Sequence, residues 1–265
     1  MNSMSSLVRV LLVALFMLAS TSGAAQFEDV FDETYPLSGG GTVSLDNVNG
    51  DVTIEVWERS EVRVYAVKSA SSQGYLDRLR IDVDASSSSI DIDTFYPSTS
   101  GRDAEEWLEE GHRRGDHKMK VEYTLTVPRR AVIDGIDLVN GSLVVDGVEG
   151  GVAAESVNGT ISVRNGAGSF GLATVNGAVE LYADRLDLND RIDLESVNGA
   201  LDLYLPSSAG ADVRAESVNG KLSNDFGIEV HRGKYVGSDF RGAVGGGGSR
   251  VALQTVNGRI SVHRW

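Results

Sequence analysis

The tripeptide Val-Asn-Gly occurs seven times, with its asparagine at Asn49, Asn140, Asn158, Asn176, Asn198, Asn219 and Asn257. From Asn140 onward the steps are 18, 18, 22, 21 and 38 residues. A period of this length marks a chain that stacks one small unit on the next, and it constrains the fold more than any single motif does. The last step is about two ordinary ones, which predicts a rung there that has lost its signature.

Counting outward from each asparagine gives the register. Six residues before it stand Val43, Val152, Phe170, Ile192, Val213 and Val251, with Asp134 as the exception. Four before stand Leu45, Ile136, Ala154, Leu172, Leu194, Ala215 and Leu253. Three after stand Val52, Leu143, Ile161, Val179, Leu201, Leu222 and Ile260, and five after all are aliphatic except Asn224. Alternation of period two on both sides of Asn-Gly predicts two strands per repeat, each burying one face.

Two all-β folds use such a pattern. Asn-Gly between alternating strands is a strong hairpin signal, because both residues tolerate positive φ, and a chain of hairpins would be an antiparallel array. The rival is a parallel β-solenoid, or β-helix, with two strands per coil of about 18–22 residues and Val-Asn-Gly at a corner. Residue identity, and not hydrophobicity alone, returns at matching positions, which favours the solenoid. Stacked coils set equivalent residues about 4.8 Å apart, so asparagine amides can bond to one another as a ladder. The expected structural ladder is Asn140, Asn158, Asn176, Asn198, Asn219 and Asn257. The hydroxyls two residues earlier (Ser156, Thr174, Ser196, Ser217, Thr255) predict a second polar ladder beside it.

Residues 1–25 read as a secretory signal: Arg9, an apolar run from Val10 to Ala19, then Ser22-Gly23-Ala24-Ala25. The run is short for a membrane span, and an uncleaved anchor is the alternative. No cysteine follows it, which excludes a lipoprotein anchor there. Export of a chain without cysteine leaves stability to packing and hydrogen bonds. The sequence therefore predicts an exported protein: periplasmic, cell-surface or secreted. Loss of the signal leaves 23 basic against 38 acidic residues, a net charge of −15. That balance argues against nucleic acid and anionic lipid as partners. Acids recur three residues before the asparagine, at Asp46, Asp137, Glu155, Glu195 and Glu216. Calcium would relieve such a row, but the glycine-rich calcium-roll nonapeptide is absent, so no metal or cofactor is expected.

The expected domain plan is a signal at 1–25, an N-terminal β region at 26–128 with a charged insertion at 101–118, and the repeat solenoid at 129–265. Strands are predicted at Val62–Val67, Leu79–Val83, Ile90–Thr94 and Val121–Val127, with a turn at Ser86–Ser89. This region lacks most of the repeats and is expected to cap the first edge of the stack. The insertion reads as a flexible surface excursion, with room for a single short helical turn around Trp107. It also holds an Arg114-Gly115-Asp116 tripeptide and a loose Glu109, His112, Asp116, His117 group, whose spacing matches no standard zinc motif. The segment Gly227–Gly248 reads as slack chain replacing a lost corner, with a binding loop as the alternative.

The strand Tyr123-Thr124-Leu125-Thr126-Val127-Pro128, followed by repeated Val-Asn-Gly-x-aliphatic-x-aliphatic units, resembles the bacterial putative-adhesin family with DUF4097 domains. The likeness covers roughly residues 38–265. It implies an exported β-solenoid of adhesin-like architecture and supplies no catalytic residues. β-Helix enzymes that act on polysaccharides need converging carboxylates, whereas here the acids are spread by the repeat, so the chain reads as non-enzymatic. The expected role is a surface or periplasmic binding or structural module meeting a cell-surface glycan or protein. The alternative is self-association through open edges, with the strand ending at Val262 as an uncapped final rung. A membrane barrel is rejected, because Ile260 and Val262 are out of phase with Trp265.

Overall fold

The computed structural model describes residues 26–97, 118–233 and 236–265. The signal segment, the charged insertion apart from Lys118, and Tyr235 lie outside the described residues. So do the predicted turn at Trp107, the Arg114-Gly115-Asp116 tripeptide and the Glu109, His112, Asp116, His117 group.

The aliphatic rows before and after each Val-Asn-Gly become strands of two different sheets. One sheet has eleven strands, in the order β18 (His231–Arg232), β19 (Ser238–Val244), β16 (Ala211–Ser217), β20 (Ser249–Asn257), β14 (Arg191–Asn198), β12 (Phe170–Asn176), β10 (Val152–Asn158), β8 (Val132–Asn140), β2 (Thr42–Asn49), β6 (Ser89–Phe95) and β5 (Arg80–Ala85). The other has ten, in the order β1 (Phe27–Pro36), β4 (Glu61–Ala70), β7 (Met119–Pro128), β3 (Val52–Trp57), β9 (Leu143–Asp146), β11 (Ile161–Ala167), β13 (Val179–Arg185), β15 (Leu201–Leu205), β21 (Ile260–Arg264) and β17 (Leu222–Asn224). Each Asn-Gly carries the chain from the first of these sheets to the second. The repeat strands pair in parallel, as β10 does with β12 and β11 with β13. The turns are therefore not hairpins. None of the seven asparagines has positive φ, and among their glycines only Gly50 does.

The two inner faces meet in one core. Leu45, Leu172, Leu194 and Leu253 from one sheet and Ile54, Ile161, Leu203 and Ile260 from the other are almost wholly buried. Each such side chain contributes about 1.5–3 kcal/mol by leaving water. The Asp134 exception is resolved by a bulge. Gly135 has φ 102°, the register shifts there, and Ile133 takes the inward place instead. At Asn224 the aliphatic row ends because its carboxamide bonds the chain back on itself. It accepts from the amides of Phe226 and Ile228 and donates to the Ile228 carbonyl.

The 38-residue step differs from the expectation of a lost rung. Strand β20 lies between β14 and β16, and β21 lies between β15 and β17. The coil that carries Asn219 leaves a gap of one strand in each sheet, and the coil that carries Asn257 fills it. The β21 strand is thus interior, and the open final edge expected from the sequence is not there. The Gly227–Gly248 segment is not slack either. Strand β19 pairs antiparallel with β16 and buries Phe240 opposite Ala215, covering that end of the sheet.

At the other end the predicted strands appear as β4 to β7, with Ser86 forming the turn between β5 and β6. Two elements carried no clear sequence signal. One is β1, which pairs antiparallel with β4. The other is a short helix α1 (Gln73–Arg78), capped by the Ser72 hydroxyl and anchored by buried Tyr75 and Leu76. Strands β1, β4 and β7 extend one sheet and the β5–β6 hairpin extends the other. Strands from either side of residue 128 share both sheets, through β2 with β8 and β3 with β9. No helix among the described residues is long and apolar enough to cross a membrane.

Candidate functional site

The seven asparagines stand in one row. Asn140 donates its carboxamide N–H to Asn49 Oδ1 at 2.9 Å, Asn158 to Asn140 at 2.9 Å, Asn176 to Asn158 at 3.0 Å and Asn198 to Asn176 at 2.9 Å. Asn257 then donates to Asn198 at 2.9 Å and Asn219 to Asn257 at 3.0 Å. The row begins with Asn49, and its last two members are in the reverse of chain order. At its start, buried Asn47 donates to the Val121 carbonyl, and the single Tyr96 hydroxyl proton is shared between Asn47 Oδ1 and the Asn49 carbonyl, each at 2.8 Å. Burial pushes the Tyr96 phenol up to about 12, so it stays a donor at physiological pH.

The hydroxyls two residues earlier do not bond to each other. Ser156 donates to the carbonyl of Gly141, Thr174 to Gly159, Ser196 to Gly177, Thr255 to Gly199 and Ser217 to Gly258, at 3.0–3.3 Å. The neighbouring hydroxyl already faces a carbonyl of its own, so each coil is tied to the backbone of the next. This arrangement also explains the glycine. A Cβ on Gly199 would fall inside the Gly177 carbonyl, and Gly159 and Gly177 are hemmed in the same way.

The valine of each Val-Asn-Gly points the other way. Val48, Val139, Val157, Val175, Val197, Val218 and Val256 are 39–46% exposed, far above the near-zero values of the core aliphatics. They form a continuous apolar stripe across the eleven-stranded sheet, six of them in strands and Val218 just past the end of β16. Beside it, two residues earlier in each strand, runs a second row. Register partners set Asp93 beside Asp46, Asp46 beside Asp137, Asp137 beside Glu155, Glu155 beside Ala173, Ala173 beside Glu195, Glu195 beside Gln254, Gln254 beside Glu216 and Glu216 beside Asp239. Ala173 and Gln254 interrupt the acids. Burial, then the charges of Asp137 and Asp93, raise the Asp46 carboxyl above the usual aspartate range. Arg214 pairs with Glu216 at the far end.

Valine and acid rows together line a groove. One part, about 410 Å³, runs from Asp46 and Val48 through Asp137, Val139, Glu155 and Val157 to Thr174 and Val175. The other, about 700 Å³, continues past Glu195, Val197 and Val256 to Glu216, walled at its end by Val236 and Ser238. Ala173, Thr174 and Val175 line both, so the two parts are contiguous. The sequence had marked the acids, but the valines were read only as part of the turn motif. Among the described residues, no group of three or more His, Cys, Asp or Glu side chains is placed to hold a metal ion.

No family model and no curated protein matches the chain. Solved structures do. A protein named a putative cell adhesion protein, from Clostridium sporogenes ATCC 15579, is similar over 91% of this chain and 100% of its own, at 15% identity and a TM-score of 0.50. This is a shared fold. A putative adhesin from Bacteroides fragilis NCTC 9343 is similar over 89% of this chain and 97% of its own, at 12% identity and a TM-score of 0.40.

Proposed function

We propose that the chain is an exported β-solenoid of the putative-adhesin type, with DUF4097-like repeats, that acts without catalysis as a binding module in the periplasm or at the cell surface. The observation that carries this reading is the valine groove. Soluble proteins bury apolar rows or scatter them, and a long contiguous stripe rimmed by charge marks a contact surface. The acid row selects the partner's chemistry: a protein surface that presents apolar side chains flanked by lysine or arginine. The asparagine row is structural in this reading. It fixes the stacking of the corners and so keeps the valines in line.

The fold shared with a solved protein named a putative cell adhesion protein supports the architecture. The direct test is photo-crosslinking. A photoreactive residue at Val197, inside the groove, is compared with one at exposed Glu55 on the other sheet. The reading expects a discrete adduct with an envelope protein at Val197 alone, weakened by salt because exposed charges are screened. Identical adducts at both positions, or none, would contradict it. Release of reducing ends from polysaccharides incubated with the protein would contradict the absence of catalysis.

A further inference from the structure

On the outward face of the ten-stranded sheet, β13, β15 and β21 set three rings in register. Tyr182 partners Tyr204, and Tyr204 partners His263. The Tyr182 and Tyr204 rings stack with centroids 3.9 Å apart and planes 4° from parallel, and Tyr204 stacks on His263 at 4.6 Å. The next strand, β11, breaks the row. Its register shifts between Val163 and Gly166, where Asn165 adopts φ 51°, the one non-glycine residue with positive φ among the described residues. Opposite Tyr182, β11 places Arg164 and Asn165 rather than a ring. In the space that opens lies a cavity of about 310 Å³ lined by Arg164, Asn165, Tyr182 and Trp265.

Trp265 stands edge-on to Tyr182, at 86° and 6.0 Å, and is 52% exposed. Its backbone is fixed nonetheless. Its N–H donates to the Leu205 carbonyl and its carbonyl accepts from Ser207. The polar rim offers both signs of hydrogen bonding. Arg164 supplies a guanidinium 5.8 Å from the Tyr182 ring, held by Glu180 at 3.4 Å, and Asn165 reaches across to Asp146 at 2.6 Å. The Tyr182 hydroxyl donates to Glu180 at 3.2 Å. The Tyr204 hydroxyl, then burial and Glu180, push the Tyr182 phenol up to about 12.

We infer that this corner is a binding site for a neutral pyranose saccharide. A pyranose has an apolar C–H face and a rim of hydroxyls that both donate and accept. Two perpendicular aromatic rings with a guanidinium, an amide and a carboxylate at their edge meet both demands. A cationic ligand would compete with Arg164, which already lies near the one open ring face. A polyanionic ligand would meet Glu180 at the rim and a net charge of −14 over the whole chain. The site is on the sheet opposite the valine groove, so it goes beyond the proposed protein contact and adds a second ligand.

Titration calorimetry of the purified protein with cellohexaose, laminarihexaose, maltohexaose, mannohexaose and chitohexaose tests it. Saturable binding is expected with at least one of them. Trp265→Ala and Tyr182→Ala should each weaken it at least about tenfold, whereas Tyr182→Phe, which keeps the ring, should stay within about threefold. Val197→Asp in the groove should leave it unchanged. No saturable binding to any of the five, or binding indifferent to Trp265→Ala, overturns the inference. A groove adduct at Val197 without saccharide binding would sink this site and leave the proposed function standing.

Discussion

Asn257 donates its carboxamide to Asn198 at 2.9 Å although 59 residues separate them, whereas Asn219, only 21 residues past Asn198, lies one rung further out. The chain therefore skips a rung, turns back through β18 and β19, and closes the gap with β20 and β21. The valine and acid rows of the groove are continuous only because this last coil supplies Val256 and Gln254 between Val197 and Val218 on one side and Glu195 and Glu216 on the other.

An interior last coil should matter as much to stability as a coil in mid-stack. Leu253 and Leu194 are register partners with no exposed surface. Leu253→Ala is expected to cost about 2–5 kcal/mol, similar to Leu194→Ala, in urea unfolding. A much smaller loss for Leu253→Ala would indicate a frayed edge instead.

Asn176 bonds to Asn158 on one side and Asn198 on the other. Asn176→Ala removes both, each worth on the order of 1 kcal/mol, and should lower the melting temperature. Asn219, with Asn257 as its one neighbour in the row, should lose about half as much on the same change. Equal or absent effects would show that the row does not act through these bonds.

Two glycines one or more strands apart should respond in opposite ways. Gly199→Ala drives a methyl into the Gly177 carbonyl and should cost on the order of 3 kcal/mol or more. Gly171 has open space around its Cβ position and no positive φ, so Gly171→Ala should be neutral or slightly stabilising. Circular dichroism melts of the pair separate crowding from simple loss of flexibility.

Asp46 carries a pH signature. Its carboxyl is raised in the folded state, so the fold holds its proton more tightly than the unfolded chain does, and its contribution to stability falls as pH rises through the raised value. Asp46→Asn should therefore stabilise the protein at neutral pH, by at most about 1 kcal/mol for so exposed a group. The gap from the parent should close as pH is lowered through the aspartate range. A variant less stable than its parent at pH 7 would contradict this.

Much of the fold could be read by counting from the asparagines, because burial forces period two and stacking forces identity. The inward rows and the preference for parallel pairing follow from that count, which marks Asp134 only as an exception and does not show the bulge at Gly135. The order of the last two coils could not be read. Both carry the same Val-Asn-Gly signature and the same inward rows before it, so nothing in the count places β20 between β14 and β16. Strand β1 was missed because Phe27–Pro36 shows little burial. The valine stripe was hidden inside its own motif. The aromatic corner did leave a trace: Arg164, Tyr182, Tyr204 and His263 each stand six residues after an asparagine. What no count supplies is the extra residue at Asn165, which shifts the register of β11 beside Tyr182.

The absence of native cysteine makes one measurement decisive for the stacking order on which the groove depends. Glu195 and Gln254 are adjacent outward partners, as are Gln254 and Glu216, while Glu195 and Glu216 are two strands apart. Adjacent strands lie about 4.8 Å apart, within disulfide reach, and strands two apart lie at about 9.6 Å, beyond it. Mild oxidation of the double variant Glu195→Cys, Gln254→Cys should give an intramolecular disulfide, and Glu195→Cys, Glu216→Cys should not. Cross-linking in the second variant but not the first would place the coils in chain order and contradict the interleaved stack.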